Sequence, residues 1–163
     1  MKPALFLDRD GVINIEKNYL YKIEEFEFNE GIFSLCHHMK RLGYLIVIVT
    51  NQSGIARGYY SEEDFHYLTT WMLQRFEEEG ITIDKVAYCP HHPDISGECA
   101  CRKPKPEMIL SAVKSLNIDL SRSVLIGDKL RDIEAGERAG VGLNCLVKSN
   151  DLSLVVKLLG IDK

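Results

Sequence analysis

Three runs of almost unbroken apolar residues, at positions 4–7, 45–49 and 124–126, constrain this chain more than any other feature. An alternating run marks a strand with one wet face, whereas a continuous run marks a strand covered on both faces, as in a parallel sheet sandwiched between helices. Two weaker runs, at 86–88 and 143–147, extend the series to five. Amphipathic segments lie between them. Ile32, Leu35, Cys36, Met39 and Leu42 share one helical face before Gly43, and Phe65, Leu68, Met72 and Phe76 share another before Gly80. The second segment opens on Ser61, Glu62, Glu63 and Asp64, a capping box with Asp in the reach-back position. Trp71, beside that stripe, is assigned to core packing. Pro106 predicts a further helix that buries Ile109, Ala112, Val113 and Leu116; residues 131–139 predict another, and residues 152–159 a short last one. Strands alternating with helices predict an α/β domain with right-handed crossovers. With no internal repeat, low-complexity tract or linker, one domain is expected over residues 1–163.

A chain of 163 residues can bury one sizeable core. Its 20 basic and 24 acidic side chains form no block of like charge, so the sequence carries no footprint for nucleic acid or an anionic membrane. The apolar start is too short for a signal peptide, and no stretch reaches the roughly 18 apolar residues of a membrane span. The expectation is a cytoplasmic monomer whose anionic ligands are held by a local site.

Two long irregular stretches, at 10–30 and 89–105, interrupt the regular pattern, and loops of that length inside a compact domain usually carry function. Ligands of an open parallel sheet bind beyond the carboxyl ends of its strands. There the sequence places Asp8 and Asp10, Thr50 and Asn51, and Gly127 and Asp128. Any one of these acids taken alone reads as a helix cap or turn former. Together, carboxylates from separate strands repel one another unless a cation neutralises them, and hard oxygen ligands suit magnesium, which in turn recruits phosphate oxygens. Asp8 and Asp10 are two residues apart and can divide labour, one attacking phosphorus and the other handling the leaving group's proton. Gly11 lets the chain turn sharply behind them.

The 89–105 stretch holds Cys89, His91, Cys99 and Cys101, four ligands that suit a closed tetrahedral zinc site. Disulfides are the alternative reading, although three cysteines cannot all pair internally and Cys99 and Cys101 are too close in sequence for easy bridging. His92 competes with His91 as the nitrogen ligand. Four protein ligands leave no open position, so such a zinc is structural and braces the loop carrying Arg102 and Lys103. Cys36 and Cys145 read as ordinary buried thiols, and His37, His38 and His66 as helix-surface residues.

On Asp8-Arg9-Asp10-Gly11, Thr50, Lys103 and Gly127-Asp128, in that order, the sequence resembles the haloacid dehalogenase superfamily. The string Thr50-Asn51-Gln52-Ser53-Gly54-Ile55-Ala56-Arg57-Gly58, with Cys89-Pro90-His91-His92-Pro93 and Cys101-Arg102-Lys103-Pro104-Lys105-Pro106, narrows the resemblance to the branch of heptose bisphosphate phosphatases and histidinol-phosphatases, looking more like the former. The resemblance implies a three-layer, Rossmann-like parallel sheet without a large cap domain, and hydrolysis of a small phosphorylated sugar in the supply of activated heptose. It implies Asp8 as the nucleophile, Asp10 as acid then base, and Thr50 and Lys103 as holders of the phosphoryl group. Magnesium would sit on Asp8, the Asp10 main chain and Asp128, and zinc on Cys89, His91, Cys99 and Cys101. Glu16, Lys17, Asn18, Tyr19, Thr50, Asn51, Gln52, Ser53, Arg102, Lys103 and Lys129 match substrate-binding positions, with 16–19 equally readable as surface loop. By charge alone Lys105 competes with Lys103. Val12 and Glu107 depart from the pattern, where Thr and Gly are usual; Glu107 reads as a favourable charge at a helix start. A histidinol-phosphate phosphatase and a silent zinc-loop binding module remain as other readings.

Overall fold

The computed structural model describes residues 1–161. Five strands form one parallel sheet: β1 (Ala4–Leu7), β2 (Leu45–Asn51), β3 (Lys85–Cys89), β4 (Val124–Gly127) and β5 (Leu143–Leu146), in the spatial order β3-β2-β1-β4-β5. Alternate residues of the continuous apolar runs serve two cores. Leu5, Leu7, Ile46, Ile48 and Ile126 turn to one face, where they meet α1 (Ile32–Arg41) and α2 (Glu62–Glu78). Ala4, Phe6, Val47, Val49 and Leu125 turn to the other, under α4 (Glu107–Leu116) and α5 (Leu130–Ala139). Helices on both faces make the three layers that unbroken apolar strands require. A short α3 (Pro93–Ser96) and a C-terminal α6 (Ser153–Leu158) complete the helices.

Local signals set the boundaries. The Ser61–Asp64 box closes as expected, with the Ser61 side chain accepting from Asp64 N and the Asp64 side chain from Ser61 N. Trp71 packs beside the core against the rings of Phe26 and Phe28. The fifth strand ends one residue earlier than expected, at Leu146, and is an edge strand exposed at both ends. The third is longer than its apolar run because Lys85 and Cys89 also pair with β2.

The two irregular stretches are tethered rather than loose. Residues 10–30 contain a single 3-10 turn, Ile23–Glu25, and are drawn inward by the buried Arg9, whose Nη2 donates to Leu20 O at 3.0 Å. Residues 89–105 contain only α3, so neither insertion builds a cap domain over the strand ends.

Candidate active site

The carboxyl ends of β1, β2 and β4 face one cavity of about 370 Å³. Asp8 leaves β1 at its floor, where Oδ1 accepts from Arg9 N at 2.9 Å and from Lys103 Nζ at 3.1 Å. Lys103 is buried and arrives from 95 positions further along the chain. Its ammonium also reaches Val49 O at 2.8 Å and Asp132 Oδ1 at 2.7 Å. Burial works against that charge, yet the Asp8 and Asp132 carboxylates outweigh it and hold Lys103 above its ordinary pKa. Burial likewise pushes Asp8 up to about 8; Lys103 opposes the shift, and Asp132, Asp128 and Asp10 add to it.

Asp10 is held on every side. Arg9 donates through Nε to Oδ2 at 3.2 Å and through Nη2 to Oδ1 at 3.1 Å, and Asn14 Nδ2 donates to Oδ1 at 3.0 Å. Gln52 Nε2 completes the set at 3.1 Å from Oδ2. Gln52 is itself buried, with Oε1 accepting from Tyr60 OH and Nε2 also donating to Thr50 Oγ1 at 2.9 Å. Thr50 is buried beneath this network and lies outside the cavity lining.

Asn51 has a different task. Its Nδ2 donates to Lys103 O at 3.2 Å and its Oδ1 accepts from Lys103 N at 3.0 Å, so both ends of the amide clamp the main chain that presents the lysine. Lys105, the competing lysine, turns to Glu98 Oε2 at 3.1 Å and to Cys99 O, away from Asp8.

Carboxylate oxygens of Asp8, Asp128 and Asp132 lie within 4.8 Å of one another. Asp128 Oδ2 accepts from Ser149 Oγ at 2.6 Å, whereas its Oδ1 is buried with no hydrogen-bond partner. Such an orphaned oxygen among crowded acids fits a hard divalent cation. Two glycines make the crowding possible. A Cβ at Gly11, whose φ is +89°, would overlap the Asp128 carboxylate, and one at Gly127 would overlap Asp132.

The upper wall carries Glu16, Asn18, Tyr19, Ser53, Arg57, Tyr60, Arg102, Lys129 and Arg131. Glu16 Oε1 accepts from Asn18 N at 2.6 Å, and burial followed by the nearby Asp10 raises its pKa. Asn18 and Tyr19 both adopt left-handed backbone, with φ of 55° and 63°, a conformation that costs non-glycine residues roughly 1–2 kcal/mol each. This unfavourable turn brings Tyr19 to the cavity. Lys17 reaches Glu27 Oε1 at 3.5 Å and stands outside the lining. Asp132, Arg57, Tyr60 and Arg131 are the site-forming residues that sequence reasoning missed. The place of Asp132 as an acid in the first turn of α5, four positions after Asp128, is the signal that could have found it.

The cysteine cluster lies at the end of β3. The sulfurs of Cys89, Cys99 and Cys101 gather within 4.8 Å, but Cys89 and Cys101 are joined as a disulfide, with Cys99 Sγ 3.6 Å from Cys89 Sγ. A bonded pair offers no thiolate to a metal, and His91 stands outside the gathered group. In the reduced state the three sulfurs fit the soft-ligand share of a zinc site. His92 is accounted for otherwise, since its Nδ1 accepts from Asp94 N at 3.2 Å and caps α3.

Comparison with known proteins agrees with this geometry. Residues 100–151 match the HAD-hydrolase-like family. The chain is 52% identical over 153 residues to D-glycero-beta-D-manno-heptose-1,7-bisphosphate 7-phosphatase of Vibrio cholerae, covering 91% of this chain and 82% of that one. It is 54% identical over 144 residues to the D-glycero-alpha-D-manno-heptose-1,7-bisphosphate 7-phosphatase of Campylobacter jejuni, covering 88% and 81%. The crystal structure of D,D-heptose 1,7-bisphosphate phosphatase from B. bronchiseptica, complexed with magnesium and phosphate, superposes with a TM-score of 0.82 at 30% identity, covering 99% of this chain and 89% of that one. Fold, site and relatives define a phosphoric monoester hydrolase of the haloacid dehalogenase superfamily. Within it, the chain belongs to the family of heptose-1,7-bisphosphate 7-phosphatases.

Proposed function

We propose that this phosphatase removes the 7-phosphate of D-glycero-D-manno-heptose 1,7-bisphosphate through an aspartyl-phosphate on Asp8. The Asp8 carboxylate attacks phosphorus while Asp10, held by Arg9, Asn14 and Gln52, protonates the departing sugar oxygen. Asp10 then takes a proton from the water that hydrolyses this acyl phosphate, which returns the Asp8 carboxylate and releases phosphate. Lys103, fixed by Asp132, meets the negative charge on the phosphoryl oxygens, and Thr50 beneath the floor accepts from the Gln52 amide that holds Asp10. Asp8, the Asp10 main chain and Asp128 would hold magnesium, which would supply further positive charge at the phosphoryl group. The observation that carries this reading is the buried Lys103 ammonium set against Asp8 at 3.1 Å on the floor of a cavity walled by cations.

In the reduced protein, Cys89, His91, Cys99 and Cys101 hold a structural zinc that braces the loop delivering Arg102 and Lys103. Convergence of three sulfurs supports this assignment. Metal content of the protein purified under reducing conditions tests it: one zinc per chain, lost in Cys99→Ser, is expected, and zinc-free active enzyme would refute it. A cytoplasmic, monomeric enzyme is consistent with reduced thiols, and no helix among the described residues is long and apolar enough to cross a membrane.

Phosphate release with magnesium from the heptose bisphosphate, histidinol phosphate and an aryl phosphate tests the whole reading. The bisphosphate should show the highest kcat/KM, and Asp8→Asn should abolish turnover of all three. Preference for histidinol phosphate would overturn the substrate assignment, and turnover by Asp8→Asn would overturn the mechanism.

A further inference from the structure

Three guanidinium groups without carboxylate partners face the cavity above Asp8. Arg57, Arg102 and Arg131 line the same space as the catalytic floor, yet none forms a salt bridge among the described residues. Arg75, Arg122 and Arg138 elsewhere on the surface each pair with an acid three or four positions away. Arg102 makes only a long bond from Nη1 to His91 O at 3.4 Å. Arg57 lies over the Tyr19 ring at 5.8 Å, and its Nε is buried with no hydrogen-bond partner. Arg131 sits in the first turn of α5 with Lys129 just before it. A cation at that end of a helix opposes the helix dipole and lowers stability, so packing and helix energetics give no reason for it. The groups also feel one another: burial, then the charges of Arg131 and Arg57, hold Arg102 below its ordinary pKa. Clustered cations of this kind, with Arg57 and Arg102 half-buried and Arg131 exposed at the rim, are stabilised by an anion, and guanidinium forks match phosphate oxygens in pairs.

The phosphate that is removed already has its counter-charge at the floor, where Lys103 touches Asp8 and Asp132. The rim cations are left for a second anion. We infer that Arg57 and Arg131, flanking Arg102, clamp the phosphate that the enzyme does not remove and so set its preference for a bisphosphate over a monophosphate. This rests on the substrate reading above, in which the sugar carries two phosphates.

The test compares kcat/KM on heptose 1,7-bisphosphate and on heptose 7-phosphate, which share the reacting group and differ only in the second phosphate. Arg131→Ala should lower the bisphosphate value about tenfold or more relative to the monophosphate value, chiefly through KM, and Arg131→Lys should recover part of the loss. Arg57→Ala should act in the same direction. Arg131 is exposed, so its replacement leaves the fold intact even if the half-buried Arg57 proves less tolerant. Equal losses on both substrates, or no loss, would overturn the clamp while leaving the substrate assignment standing. Wild-type enzyme that hydrolyses the bisphosphate no better than heptose 7-phosphate would overturn the substrate assignment and the clamp together.

Discussion

Gln52 Nε2 donates to Asp10 Oδ2 at 3.1 Å, and Tyr60 OH donates to the other end of the same amide. The tyrosine thereby fixes which atom of Gln52 faces the carboxylate, and with Arg9 and Asn14 the amide leaves Asp10 one orientation. A group that gives and then recovers a proton at one atom gains from being unable to rotate. Gln52→Ala should therefore lower kcat by about 10- to 100-fold with a much smaller change in KM. Tyr60→Phe, which frees the amide to flip, should give a smaller loss of the same kind in steady-state kinetics.

Lys103 stands between two buried acids, Asp8 at 3.1 Å and Asp132 at 2.7 Å. Removing one partner of a buried ion pair leaves an unpaired charge and costs roughly 3–5 kcal/mol. Lys103→Met should abolish activity and destabilise magnesium-free protein by about that amount in urea unfolding. Asp132→Asn leaves Lys103 its Asp8 partner, so it should destabilise less while still lowering kcat.

The raised pKa of Asp8 has a defined sign for stability. The unfolded chain releases this proton near 3.8, whereas the folded, magnesium-free protein holds it up to about 8. Between those values the native state binds the extra proton, so stability contributed by this group is present at the acid end and is lost as pH rises toward 8. Thermal unfolding of magnesium-free protein should show that decline, and Asp8→Asn should flatten it. Magnesium must displace the same proton, so its affinity should increase over this range. A melting temperature independent of pH in wild type would contradict the assignment.

Much of this arrangement was legible because the sequence used residues whose physics leaves one reading. The runs at Leu5 and Leu7, and at Ala4 and Phe6, are apolar at every position because each side of the strand meets its own core. Ser61 and Asp64 cap a helix by local hydrogen bonds alone. Asp132 stayed hidden for the converse reason. It accepts from Lys129 N at 3.1 Å as an ordinary first-turn acid does, and only the tertiary fold adds Lys103 to its other oxygen. The turn that parts Lys17 from Tyr19 was not legible, since nothing in Asn18-Tyr19 announces left-handed backbone at both positions. The spacing of Cys89, Cys99 and Cys101 brought the sulfurs together, but spacing does not determine whether two of them bond or all three bind metal.

Asn51 offers a test that separates holding the lysine from holding the substrate. Its amide donates to Lys103 O and accepts from Lys103 N, across 52 positions of sequence, so one side chain on β2 fixes the loop that follows the cysteine cluster. Asn51→Ala removes both bonds and should cost about 1–3 kcal/mol, since main-chain groups that Asn51 satisfied lose their partners. Lys103 Nζ would keep Asp8 and Val49 O as partners, but the main chain supporting it would be free to shift. The expected result is a fall in kcat on both heptose bisphosphate and heptose 7-phosphate by a similar factor, because the floor and not the rim is disturbed. Asn51→Asp keeps the acceptor for Lys103 N but sets a carboxylate against Lys103 O, so it should recover little of the loss. A selective loss on the bisphosphate in Asn51→Ala would instead assign this amide to the second phosphate.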